Sequence, residues 1–207
     1  MILGVVSKIF RIASKGDLMA SLASRKPGPN APMFDACKNS TQPYASAVGA
    51  YESWITSDFP PSKLVLGVPT YGYVSQSSAD SLRTRRLQRT SQENVTEIIN
   101  SDGDSKGQIS FRELVQQGVL APDTNRQFVG SGGFEREWDE CSCTPFLRSS
   151  SAGQVVSYDD PRSLGMKAEF AKGTGMLGIN LFDISGDTDG WDLTAAVAKG
   201  LSSDHLL

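Results

Sequence analysis

Three observations predict an α/β fold. Apolar residues at helical spacing over 44–57 lead into a short apolar run at 63–69, an amphipathic helix followed by a buried strand. The same kind of order returns after residue 150, where a helix-start signal, a second apolar run and a closing helix follow one another. Between the two, residues 76–150 lose that rhythm and read as an insertion of mixed α+β character.

The elements can be justified in order. Residues 1–26 carry Lys8, Arg11, Lys15, Arg25 and Lys26 against Asp17 alone, an atypical N-terminal segment expected to lie outside the fold. Its apolar start is interrupted at Lys8 before an h-region forms, so no signal peptide is expected. Pro27-Gly28-Pro29-Asn30-Ala31-Pro32 is turn chemistry, an ordered loop or linker. Val48, Tyr51, Trp54 and Ile55 mark one face of the first helix, and Asp58-Phe59-Pro60-Pro61 ends it. Lys63-Leu64-Val65-Leu66-Gly67-Val68-Pro69 is the first strand. Within the insertion lie an arginine patch (Arg83, Arg85, Arg86, Arg89) and a helix-like stretch from Gln92 to Ile99. Gln154-Val155-Val156-Ser157-Tyr158 reads as a brief strand, and Asp159-Asp160-Pro161 opens a helix that stops at Gly173. A second buried strand is expected at 175–182, and Asp192 is placed to cap a last helix over 193–201.

Composition removes whole classes of function. The chain has 207 residues, with 20 Lys and Arg against 23 Asp and Glu, a net charge of -3 and no basic footprint for nucleic acid. No run approaches the roughly 18 apolar residues of a membrane span. His205 is the sole histidine, which excludes HExxH metal sites and nucleophile systems built on histidine, so carboxylates would have to carry any acid–base chemistry. No cofactor is expected. Cys37, Cys141 and Cys143 are either three free thiols or one bridge from Cys37 to Cys141 or Cys143 with a thiol left over. Asn39-Ser40-Thr41 and Asn94-Val95-Thr96 would be glycan acceptors only on a secreted chain.

Strand, long insertion, helix, strand and helix is the order of the last units of a (β/α)8 TIM barrel, whose sites lie at the C-terminal ends of the strands. A partial barrel of this kind, built from 27–75 and 151–207, places Tyr71, Tyr73, Phe182 and Asp183 at that mouth. Aromatic faces there suit pyranose rings, with polar neighbours for the hydroxyls.

Several segments then fit one family. Lys63-Leu64-Val65-Leu66-Gly67-Val68-Pro69-Thr70-Tyr71-Gly72 resembles the seventh-strand motif of family 18 glycoside hydrolases, the chitinases. Val156-Ser157-Tyr158-Asp159-Asp160-Pro161 is similar to the segment before the eighth strand, and Gly178-Ile179-Asn180-Leu181-Phe182-Asp183 to that strand itself. The stretch from Gly132-Gly133-Phe134 to Thr144-Pro145-Phe146 resembles the family's insertion, especially in fungal members. The resemblance implies a secreted parent acting on β-1,4-linked N-acetylglucosamine polymers by substrate-assisted retaining hydrolysis, with chitin or chitooligosaccharide bound at Tyr71, Tyr73, Phe182 and Asp183. The family's catalytic octet, D-x-x-D-x-D-x-E, does not occur in the sequence, nor does its Met-x-Tyr-Asp segment before Pro27. Tyr73 stands where an arginine often follows, and Phe182 where a tryptophan floors the subsite. The chain is therefore expected to be a C-terminal portion of such an enzyme, inactive alone, with an open sheet edge that makes it prone to associate.

The alternative is a non-catalytic module, either a carbohydrate binder or a calcium site. Asp102-Gly103-Asp104-Ser105-Lys106-Gly107-Gln108-Ile109-Ser110-Phe111-Arg112-Glu113 follows the EF-hand loop at Asp102, Asp104, Gly107 and Glu113, but puts an ammonium where an oxygen ligand belongs.

Overall fold

In a computed structural model the described residues are 27–38, 45–77, 96–104 and 106–203. The segment 1–26, Asn39, Asn94, the arginine patch and His205 lie outside them. Helix α1 (Ala47–Ile55) is capped by Ser46, whose hydroxyl accepts from the Gly49 N–H, and its Tyr51 meets Phe170 edge-on at 5.5 Å. A 3-10 turn then delivers the chain into β1 (Val65–Pro69), buried from Leu66 onward.

From β1 the chain enters an antiparallel sheet. Its strands are β2 (Tyr71–Gln76), β3 (Gly107–Ser110), β6 (Glu135–Asp139), β7 (Thr144–Ser149) and β8 (Gln154–Ser157), in spatial order β3-β2-β8-β7-β6. Helix α2 (Phe111–Gln116) and the hairpin of β4 (Leu120–Pro122) and β5 (Phe128–Gly130) complete this part. Helix α3 (Pro161–Gly173), β9 (Gly178–Phe182) and α4 (Asp192–Ser202) close the chain. β9 lies parallel to β1, with Val65 opposite Gly178 and Pro69 opposite Phe182, so both strands end at one level. One apolar core runs through both parts, from Leu64 and Leu66 through Ile109, Phe111 and Leu147 to Leu164 and Leu193.

Three expectations are corrected. Residues 96–100 form no helix: the side chain of buried Gln154 bonds to both the N–H and the C=O of Ile98, at 2.9 and 3.0 Å, holding that backbone extended. β9 is only half-buried, because β1 is its sole strand neighbour among the described residues. Asp192 does not cap α4. Asp187 does: its carboxylate accepts from the N–H groups of Leu193 and Thr194 and from the Thr194 hydroxyl, and Trp191, at φ 58°, turns the chain so that this reach is possible.

Gly72 is the tightest point where β2 meets β8. A Cβ there would sit 2.4 Å from the Ser157 carbonyl oxygen and 2.5 Å from the Tyr158 Cβ, and main chain cannot retreat cheaply. Gly72→Ala is expected to cost about 2 kcal/mol in urea unfolding; an unchanged midpoint would show that the two strands can separate freely.

Candidate functional site

The parallel register brings the end of β1, the start of β2 and the end of β9 together. The Thr70 N–H donates to the Phe182 carbonyl at 3.1 Å, and the Thr70 hydroxyl donates to the Asp183 carbonyl. Gly186, three residues beyond that hydroxyl's acceptor, packs so closely on Thr70 that a Cβ would lie 2.4 Å from Oγ1. The two strand ends are thus locked to each other before any side chain of the site is considered.

On β2, alternation sends Tyr71 and Tyr73 to one face, where their rings meet edge-on at 5.7 Å. Tyr71 is buried, and burial, then the neighbouring Tyr73 and Asp159, push its hydroxyl up to about 12. Tyr73 is half-buried and also raised by burial, and its hydroxyl lies 3.5 Å from Gln108 Oε1. Both phenols are therefore neutral hydrogen-bonding groups at physiological pH rather than proton acceptors. Asn30 fixes the start of the strand by donating to the Tyr71 carbonyl at 2.7 Å. Across the register Phe182 is 49% exposed, which leaves much of its ring to solvent. Asp183 is exposed, and its Oδ1 accepts from the Ser185 N–H at 3.0 Å and from the Ser185 hydroxyl.

Close enough to Tyr71 to act on its hydroxyl lies a group that the sequence did not single out. Asp159 is buried, and its Oδ1 takes the Lys167 ammonium at 2.5 Å and the Ser163 hydroxyl at 2.6 Å, while its Oδ2 has no hydrogen-bond partner. Burial pushes this carboxyl above its ordinary range, and Lys167 pulls it part of the way back. The sign of it was legible after the fact: Lys167 occupies the stripe of Leu164, Ala168 and Ala171 on α3, where a solvated lysine has no place. Asn30 and Thr70 carried no such sign, because each acts across a long separation in the chain.

Glu113, the last acid of the EF-hand-like run, has a structural role at the start of α2. That carboxylate accepts from the N–H and the hydroxyl of Ser110, both at 2.7 Å, as the return arm of the capping box that starts α2. Asp102 and Asp104 are exposed on a turn organised by Asn100, whose Oδ1 accepts their backbone N–H groups. Among the described residues no three His, Cys, Asp or Glu side chains converge in a way that could hold a metal. No helix among them is long and apolar enough to cross a membrane.

Comparison with known proteins agrees with this architecture. A chitinase-like effector of Moniliophthora roreri is 29% identical over 178 residues, which cover 77% of this chain and 42% of that protein. The crystal structure of a chitinase from Rhizomucor miehei superposes with a TM-score of 0.67 at 26% identity, covering 92% of this chain and 52% of that one. The Group IV chitinase of Ostrinia furnacalis, solved in complex with allosamidin, shares the fold with a TM-score of 0.63 at 23% identity, over 86% of this chain and 46% of that one. The chain thus spans about half the length of these proteins, or less. The profile of the Glycosyl hydrolases family 18 matches residues 16–187. On that match, which spans most of its length and includes β1 and β9, this chain belongs to glycoside hydrolase family 18.

Proposed function

We propose that the chain binds β-1,4-linked N-acetylglucosamine oligomers at the mouth formed by Tyr71, Tyr73, Phe182 and Asp183, and that it does not hydrolyse them by itself. The observation that carries this reading is the register that sets Pro69 against Phe182, which gathers two tyrosines and an exposed phenylalanine at the same strand ends. A pyranose ring presents a C–H face that packs on such aromatic surface, and its hydroxyls can meet the Tyr73 phenol and the second oxygen of Asp183. Asp183 Oδ1 is already held by Ser185, so the carboxylate is oriented before a ligand arrives and loses little freedom on binding.

The same inventory argues against turnover. Substrate-assisted hydrolysis still needs a positioned acid to protonate the leaving oxygen. The octet that supplies it in the family is missing from the sequence, and of the carboxylates near this mouth Asp183 is exposed and tied to Ser185 while Asp159 is buried and paired with Lys167. Titration with chitohexaose by calorimetry is expected to give saturable binding that Tyr73→Ala and Phe182→Ala each weaken about tenfold, the equivalent of one lost stacking contact. Binding untouched by both substitutions would refute the site, and release of reducing ends by the purified chain would refute the absence of hydrolysis.

A further inference from the structure

A second concavity lies between β5 and the paired helices α3 and α4, about 620 Å³ in volume, and it shares no residue with the tyrosine mouth. Its size falls within the range of about 300–1,000 Å³ typical of ligand pockets. Its charge is unlike that of the chain as a whole. The protein carries a net charge of -3, yet Arg126, Arg136, Arg162 and Lys199 line this groove against Asp160 and Glu169.

The pairs inside the groove sharpen that excess. Asp160 is consumed: one oxygen takes Nε and Nη2 of Arg136, at 2.9 and 2.6 Å, and the other caps α3 through the Ser163 N–H at 3.0 Å. Arg162 stacks its guanidinium 3.8 Å from the centre of the Trp138 ring, which fixes the group and leaves its N–H edges for an anion. Arg126 and Lys199 are exposed and form no ion pair among the described residues. Three available cations therefore face Glu169 alone.

The apolar part of the lining decides what kind of anion fits. A sugar would want an open aromatic face, but Phe128 is only 8% exposed and the Trp138 ring is covered by Arg162. The apolar groups that reach the surface are aliphatic instead, with Val129 41% exposed on β5 and the half-buried Met166 also in the lining. Methionine adapts to varied side chains, and a valine on a short strand offers a flat seat. We propose that this groove is a docking site for an acidic peptide segment of a partner protein, its carboxylates on Arg126, Arg162 and Lys199 and an aliphatic side chain on Val129 and Met166.

Fluorescence polarisation with the full chain and a labelled, capped peptide carrying acidic residues on either side of a leucine tests this. Saturable binding is expected, weakening as salt screens the exposed cations. Arg126→Glu combined with Lys199→Glu is expected to weaken it about tenfold, since two exposed pairs become repulsions. Both positions are exposed, so a retained thermal transition separates loss of binding from loss of fold. Chitohexaose binding by the double variant should be unchanged, which keeps the result independent of the tyrosine mouth. The proposal is overturned if the peptide does not saturate, if the double variant binds it as the parent does, or if a hyaluronan oligosaccharide binds with the same sensitivity while the peptide does not.

Discussion

Asp159→Ala is expected to destabilise the protein by about 4 kcal/mol, because it leaves the Lys167 ammonium buried with nothing to balance it. Lys167 is 2% exposed and cannot swing to water without unpacking α3 from the core. The reverse change is milder. In Lys167→Met a methionine of similar volume fills the space, and the Asp159 carboxyl can take up a proton and keep its bond with Ser163. The two variants should therefore differ in pH dependence as well as in size. The folded Asp159 carboxyl sits above its ordinary range, so it contributes stability that is fully present below the ordinary carboxylate range and is lost as pH rises through the raised value. Lys167 restrains that loss by favouring the charged form. Without it, urea midpoints of Lys167→Met should fall more steeply than those of the parent from about pH 4 upward. Equal slopes in parent and variant, or an Asp159→Ala penalty within about 0.5 kcal/mol of zero, would show that the pair is solvated. The Asp159 charge also bears on Tyr71, so loosening this pair should weaken the neighbouring sugar site without touching a contact residue.

Local chemistry made much of this fold readable. Asp160 followed by Pro161 marked the start of α3 because capping and a fixed φ act within one turn, and the run ending at Pro69 marked β1 because a strand covered on both faces needs no polar alternation. Tyr71 and Tyr73 fell on one face by the period of two alone. What stayed hidden depends on distance. Gln154 substitutes for a strand neighbour of Ile98 across a separation of 56 residues, so the apolar spacing up to Ile99 pointed to a helix that tertiary bonding overrides. Asp102 to Glu113 reads as a cation loop, and the structure shows in addition that its Ser110 and Glu113 form the capping box of α2. Asp192 looked like the cap of α4 from its place in the chain, but the left-handed turn at Trp191 hands that task to Asp187.

Breaking the Cys37–Cys141 bridge is expected to cost about 4 kcal/mol, on account of the loop it closes. The two cysteines are 104 residues apart, and the bridge pins the arm at 27–38 to the turn between β6 and β7. Hydrogen bonds run beside it, from the Met33 N–H to the Ser142 carbonyl at 2.8 Å and from the Ala36 N–H to the Cys141 carbonyl at 3.0 Å. The arm continues inward through Asn30 to the Tyr71 carbonyl, so it also braces the start of β2. Sequence spacing could not choose between Cys141 and Cys143, because both sit in one turn within reach of the same loop. Cys143 is the free thiol, half-buried, at φ 53°, and burial followed by Glu140 and Asp139 raises it into a weak nucleophile. Cys37→Ser is expected to lower the melting temperature by about 10 °C, and Cys143→Ser to leave it nearly unchanged. Combining Cys37→Ser with Cys141→Ser should add nothing to either alone, since both remove one interaction. A Cys143→Ser variant as unstable as Cys37→Ser would instead assign the bridge to Cys143.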